Sequence, residues 1–257
     1  MQVRIQQPGS LARSHTPIKG MSEMMSEYDL PLVAASFLVA VLAAYAALFF
    51  GARLTNAKGG ERRKWLTAGA LLMGTGVWTM HFVGMRAMPM DAAMTFDILM
   101  TAVSWVAAVV ASGIALHIIG RERLGAPLFA GATLSMASGI VVMHYLGMYA
   151  MRMSASPTFN IGFLAVSIVI AVVASGVALA LCRKLQGMDG AGSLVIQFVA
   201  ALVMAAAICG MHYTGMMAMI FPEGAVPAAD NGLRGDWMGI PLAVFCAALL
   251  GVALVVT

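Results

Sequence analysis

The sequence has little charge and lacks the patterns of a soluble catalytic domain. Only 10% of its 257 residues are charged, whereas 61% are hydrophobic. The net charge of +4 is small and forms no basic surface interleaved with aromatic residues, so we expect no nucleic-acid partner. We also find no nucleophile–base–acid set, phosphate-binding loop or pair of carboxylates within the apolar runs. The sequence therefore does not predict an enzyme.

Cysteine pairing and a cleavable leader are also missing. The three cysteines (Cys182, Cys209 and Cys246) show no Cys-x-x-Cys spacing and lie in or beside apolar runs. We therefore expect small buried side chains rather than disulfides. Residues 1–28 are polar and have no apolar core followed by a small-residue cleavage site. They are predicted to form a disordered N-terminal tail, and residues 29–257 a single membrane domain.

Long apolar runs occupy most of the chain, and about 20 such residues cross a bilayer as a helix. Seven can be marked, at residues 30–51, 66–88, 98–119, 127–150, 161–182, 194–220 and 238–257. The predicted fold class is therefore all-α, a polytopic membrane bundle of seven transmembrane helices.

The loops between these runs alternate in charge. The first, third and fifth loops hold nine basic residues: Arg53, Lys58, Arg62, Arg63, Lys64, Arg121, Arg123, Arg183 and Lys184. The other loops hold the acidic residues Asp91, Asp97, Glu223, Asp230 and Asp236. Basic loops stay in the cytoplasm, so we expect the N-terminus outside and the C-terminus inside.

The helices also repeat as hairpins of about 65 residues, present three times, with the seventh helix left over. Equivalent serines, Ser36, Ser104 and Ser167, mark the odd-numbered spans. The residues at the start of those spans, Asp29, Asp97 and Asn160, are predicted helix N-caps. A second interpretation has them orient a metal-bound imidazole. Because the unit has two spans, the repeats run parallel and their motifs share one membrane depth.

Each even-numbered span ends in the pattern Met-His-aromatic-x-Gly-Met-x-Ala-Met, at residues 80–88, 143–151 and 211–219. In a helix the His and the two later Met residues fall within an arc of about 60°. Imidazole and thioether donors suit a soft metal, copper above all. The candidate ligands are His81, Met85 and Met88; His144, Met148 and Met151; and His212, Met216 and Met219.

Packing is the competing interpretation of these stripes, because methionine often fills irregular apolar cores. Three intramembrane histidines in one repeated pattern favour ligands instead, since a polar group there usually marks function. The sequence leaves open whether there is one shared site or several. It also leaves open whether the motif glycines (Gly84, Gly147 and Gly215) serve close packing or admit a ligand, and whether Cys209 faces the site.

These motifs, within seven spans, resemble the bacterial MHYT domain over residues 28–257. The resemblance implies an integral sensor of the bacterial cytoplasmic membrane. It implies a metal, copper first, held by the motif His and Met residues, with oxygen, carbon monoxide or nitric oxide as the gas ligand. Its partners would be the lipid bilayer and a cytoplasmic output domain or protein, related to cyclic-di-GMP signalling, that this sequence does not contain. Only the third motif reads Met-His-Tyr-Thr in full, which leaves a shared role for its Thr in doubt.

Two other functions stay open at this stage. A copper transporter or metallochaperone would continue its ligands across the membrane, where the sequence offers only Met73, Met136, Met204 and His117. A membrane copper oxidase would need an acid–base group near the metal, for which Tyr145, Tyr213 and Asp97 are available. We expect instead that a signal passes inward through the seventh span.

Overall fold

The computed structural model describes residues 28–54, 57–88, 94–121, 123–185, 191–222, 225–228 and 232–256. The predicted tail, apart from Tyr28, lies outside these ranges. Seven helices form the bundle: α1 (Leu30–Leu54), α2 (Gly59–Arg86), α3 (Ile98–Ile119), α4 (Ala126–Tyr149), α5 (Ile161–Lys184), α6 (Ala191–Ala218) and α7 (Ile240–Val256).

The fold is all-helical, and six of the seven helices, α1 to α6, are long and apolar enough to cross a membrane. Large apolar side chains such as Leu99 (72% exposed) and Ile161 (81% exposed) point outward from the bundle. Such an apolar surface is suited to contact with lipid. The chain is therefore a multi-pass membrane protein. The seventh helix has only 17 residues, so a count of seven spans stays a prediction.

Helices α1 to α6 pack as three antiparallel hairpins, α1–α2, α3–α4 and α5–α6, that close into a ring. The even-numbered helices also contact one another at the centre, and α7 packs outside the ring against α1 and α2. Small residues permit these close approaches. A side chain on Gly74 of α2, for example, would place its Cβ 2.6 Å from Val109 Cα in α3.

The predicted N-caps are confirmed at the starts of α1, α3 and α5. An Oδ1 atom accepts from the first-turn amides: Asp29 from Leu32, Asp97 from Met100, and Asn160 from Gly162 and Phe163. The backbone N–H of each cap residue donates to the carbonyl of the motif alanine in the same hairpin, namely Ala87, Ala150 and Ala218. Each of these alanines is almost fully buried where the two helix ends meet, so the position suits a small side chain.

We call the end of the bundle where the motifs lie the motif end. Short antiparallel strand pairs cover it: β1 (Thr95–Phe96) with β4 (Leu233–Arg234), and β2 (Thr158–Phe159) with β3 (Met219–Ile220). A 3₁₀ turn at Gly235–Met238 leads from β4 into α7. Phe96 and Met94 are 0% and 1% exposed beneath this cover.

At the opposite end the odd-numbered helices meet instead. Gly51 of α1 packs against Cys182 of α5 and Leu116 of α3. Buried apolar side chains fill this region: Leu48, Phe50, Leu54, Leu116, Ile119, Leu179, Cys182 and Leu185. In the described part of the bundle, apolar side chains therefore fill the end opposite the motif end.

Candidate metal centre

The three motif histidines meet on the central axis of the bundle. The Nδ1 atoms of His81 and His212 are 3.1 Å apart, those of His144 and His81 3.1 Å, and those of His212 and His144 3.3 Å. All three side chains are fully buried. Each stands five or six residues before the end of its helix, about 8 Å from the motif end at 1.5 Å per residue.

Hydrogen bonds alone cannot satisfy this triangle of nitrogens. A ring nitrogen of neutral imidazole carries either a proton or a lone pair, so it donates or accepts but does not do both. In a closed set of three Nδ1 atoms, at most one donor–acceptor pair forms and the third nitrogen is left over. A single cation at the centre would satisfy three lone pairs at once.

The size of the triangle fits one metal ion. Nitrogens bound about 2.0 Å from a tetrahedral metal lie about 3.3 Å from one another, close to the observed 3.1–3.3 Å. Three protein ligands leave a fourth position open, which is the arrangement of reactive rather than purely structural metal sites. Among the described residues, these three histidines form the group of His, Cys, Asp or Glu side chains whose ligand atoms lie close enough together to hold one metal ion.

The motif glycines hold these imidazoles in place from the neighbouring hairpin. Gly147 packs against the Nε2 edge of His81, Gly84 against that of His212, and Gly215 against that of His144. A Cβ on Gly147 would lie 2.8 Å from His81 Cδ2, and the other two glycines would bring theirs to 2.9 Å. Each glycine therefore leaves the space that the histidine ring of a neighbouring hairpin occupies.

The Nε2 atom of each histidine has no hydrogen-bond partner among the residues that the structure describes. The proposed second role of Asp29, Asp97 and Asn160, to orient an imidazole, finds no support there. Their Oδ1 atoms bond first-turn amides instead. Close packing on glycine, rather than a carboxylate partner, fixes the ring orientation.

The six methionines named as candidate ligands gather in one apolar cluster at the motif end. Met85, Met148, Met151 and Met216 are buried in it, together with Phe82, Met94, Phe96, Ala150 and Met238. Met88 and Met219 pack against it. We call this the motif-end cluster. It begins one turn beyond the histidines, on the motif-end side of the nitrogen triangle. Whether these thioethers bind the same metal stays a prediction.

A second threefold layer supports the histidine rings. The sequence did not predict it as a layer, since Tyr145 and Tyr213 were considered only as acid–base groups of an oxidase. The hydroxyls of Tyr213 and Tyr145 bond Ser36 Oγ (3.0 Å) and Ser167 Oγ (2.6 Å). Each serine proton is already given to a backbone carbonyl, so the tyrosines donate. The first motif has Phe82 in this place, and Trp78, one turn earlier, donates its Nε1–H to Ser104 Oγ instead (3.0 Å). The repeated serines were the available clue.

Other residues considered from sequence lie elsewhere. Cys209 lines a groove between α1 and α6 and is not part of the ligand cluster. His117 contacts Arg62 near the opposite end, with 3.5 Å between His117 Nδ1 and Arg62 Nη1.

Three further methionines of the even-numbered spans form a layer that was not predicted. Met73, Met136 and Met204 each precede a motif histidine by eight residues, and all three are buried in the main core. The common spacing from each histidine was the clue that could have found this layer.

Fold and site together define a class: a threefold-repeated membrane helix bundle with a buried His triad on its axis. The family described as "Bacterial signalling protein N terminal repeat", MHYT, matches residues 18–67, 74–132 and 138–191. The chain belongs to the MHYT family, and it is a membrane module of bacterial signalling proteins. No solved structure matches the chain.

Three curated proteins are similar to nearly the whole chain. The bifunctional diguanylate cyclase/cyclic di-GMP phosphodiesterase MucR of Pseudomonas aeruginosa is 41% identical over 91% of this chain. The cyclic di-GMP phosphodiesterase NbdA of the same organism is 35% identical over 91%, and the signaling protein YkoW of Bacillus subtilis 33% over 81%. The match spans only 34%, 30% and 26% of these relatives.

Proposed function

We propose that this chain is a membrane sensor module that holds one copper ion through His81, His144 and His212 and presents it to a diatomic gas. The observation that carries the proposal is the closed triangle of Nδ1 atoms, 3.1–3.3 Å on a side, in a fully buried site. One shared centre, rather than three separate sites, is what this spacing supports.

Copper is favoured over zinc by the surroundings of the triangle. Three imidazoles alone suit either metal, but thioethers select the softer cuprous ion. Met85, Met148 and Met216 stand one turn beyond the three histidines and are almost fully buried. Copper bound there would supply an open coordination position for oxygen, carbon monoxide or nitric oxide. The protein's part is to orient three lone pairs, exclude water and surround the position with apolar side chains.

A signal would leave the site through α7. Met238 lies in the motif-end cluster, and α7 begins two residues later at Ile240. A change at the metal would therefore reach this helix through one packed side chain. Two spin labels, one on α2 and one on α7, should change their separation when gas is added to metal-loaded protein. An unchanged distance would argue against this route.

The proposed setting is a bacterial cytoplasmic membrane, with the motif end outside and the C-terminus of α7 inside. The alternation of basic and acidic loops supports this orientation. A thiol reagent that cannot cross the membrane should label Ser156→Cys, but not Lys58→Cys, in intact cells. The names of two relatives suggest that the output concerns cyclic di-GMP, supplied by a domain or protein outside this chain.

Transport of copper is the other function with a specific observation in its favour, the buried layer of Met73, Met136 and Met204. Beyond that layer, however, the described residues around Phe50, Leu54 and Ile119 add a single soft donor, the buried thiol of Cys182. A conduit needs ligands across its whole length, so we favour a terminal site. Vesicles containing the protein should therefore not accumulate copper.

The test is the metal content of detergent-purified protein by mass spectrometry. Wild type should hold one copper per chain, and His81→Ala, His144→Ala and His212→Ala should each lose it. His117→Ala is the matched control, because it removes an imidazole remote from the triangle and should keep the metal. Partial loss in each variant would indicate separate sites, and full occupancy in any of the three would refute the shared centre. Unchanged elution from a sizing column shows that the variants are folded.

A further inference from the structure

A groove of about 440 Å³ opens between α1 and α6 at the depth of the His triad. Val33 and Phe37 of α1 line one side, and Cys209, Tyr213 and Thr214 of α6 line the other. Its lining is almost entirely apolar. Because both helices face lipid here, the groove opens sideways toward the bilayer rather than toward water.

The equivalent interface of the neighbouring repeat, between α2 and α3, is filled. Trp78 stands three residues before its histidine, where α6 has the much smaller Cys209. Trp78 donates to Ser104 Oγ, and Trp105 of α3 reaches across to Thr75 Oγ1 at 3.0 Å. Two indole rings thus occupy the space that is open at α1–α6, so the groove follows from a specific difference between the repeats.

Tyr213 separates the groove from the metal centre. Its ring lines the groove and also packs edge-on against His212, with ring centroids 4.8 Å apart. The two ends of the bundle are closed in the described part of the chain. Met94 and Phe96 cover the motif end, and the buried side chains around Phe50 and Leu54 close the opposite end.

We propose that this groove is the lateral access route by which an apolar diatomic gas passes from the bilayer to the centre. Apolar molecules partition from water into hydrocarbon, so the bilayer is where such a gas is concentrated. The groove connects that phase to the ring that covers His212. This inference rests on the proposed function, and it adds a route that uses one of the three repeat interfaces.

The first test fills the groove and follows the kinetics of carbon monoxide binding to protein loaded with cuprous ion. Ala206 is an exposed lining residue on α6, so Ala206→Leu should fold normally; Cys209→Trp copies Trp78. Each should slow both association and dissociation about tenfold or more, because a barrier on the route acts in both directions. The equilibrium affinity and copper content should not change. Cys209→Ala, which removes the thiol without filling space, should behave as wild type.

Unchanged rates in both filled variants would overturn the route. A changed affinity with an unchanged association rate would do the same, because it would mean that the substitution acts on the centre itself.

The second test needs no copper and so separates this inference from the proposed function. Fluorotyrosine is incorporated, and the relaxation of its fluorine signals by dissolved oxygen is compared in wild type and Ala206→Leu. The Tyr213 signal should relax less in the filled variant, whereas the Tyr145 signal, from the equivalent position in α4, should not change. An equal effect of oxygen on Tyr213 in both proteins would refute access through the groove. Absence of copper binding in wild type would instead refute the proposed function alone.

Discussion

The sharpest test of the shared centre is a single methyl group added to Gly147. This glycine packs on the Nε2 edge of His81, and a Cβ there would lie 2.8 Å from His81 Cδ2. Ordinary carbon contacts begin at 3.4 Å, so the ring must move by at least about 0.6 Å, because His81 Nε2 lies nearer still to the added Cβ. Metal–ligand distances tolerate only about 0.2 Å of error. Gly147→Ala should therefore displace His81 from the position that its two partner nitrogens define.

The expected loss of copper affinity is about 10- to 100-fold, the range seen when the groups that orient a ligand are removed. That corresponds to about 1.4–2.8 kcal/mol. Competition with a coloured chelator of cuprous ion measures it. Gly131→Ala is the matched control, because Gly131 lies in the same helix with nothing within 4 Å of its added Cβ. A wild-type affinity for copper in Gly147→Ala would contradict this prediction, and so would an equal loss of affinity in Gly131→Ala.

Two further substitutions separate support of the fold from metal binding. Tyr145→Phe removes the hydroxyl that donates to Ser167 at 2.6 Å and should lower the free energy of unfolding by about 0.5–2 kcal/mol. Tyr149→Phe alters a half-exposed side chain of the same helix and should not lower it. Equal stability of the two variants in denaturant titrations would contradict this prediction. Asp97→Ala removes the N-cap of α3 and should destabilise the protein by about 0.5–2 kcal/mol. Its copper content should stay at the wild-type value. Loss of metal in a folded variant would instead show that Asp97 supports an imidazole.

The hairpin architecture was predictable because it depends on local and repeated signals. Hydropathy located the six long spans, and Asp97 and Asn160 marked helix starts correctly. The start of α2 was wrong by seven residues: the predicted span begins at 66, but the helix begins at Gly59. Hydropathy detects the part of a helix that suits lipid, and the first turns of α2 carry Glu61, which pairs with Lys64.

The triangle of histidines was predictable only in part. Parallel repeats place three histidines at one depth, but they do not determine how each helix is rotated about its axis. That rotation decides whether His81 and His212, 131 residues apart in the chain, share one point or line separate surfaces. Which ring nitrogen faces the axis depends on contacts between hairpins, such as Gly84 against His212, and no local pattern records those contacts.

Symmetry explains why some motif positions are repeated without change and others are not. The His, Gly and Met residues build the axis, where a change in one repeat would alter a point that all three share. Positions farther from the axis serve one interface each, so they can differ: Trp78 fills its interface, whereas Cys209 leaves its counterpart open. The same freedom lets α7 pack mainly against the first hairpin in the described part of the chain. Under the proposed function, a symmetric centre could in this way have one side for the gas and another for the signal.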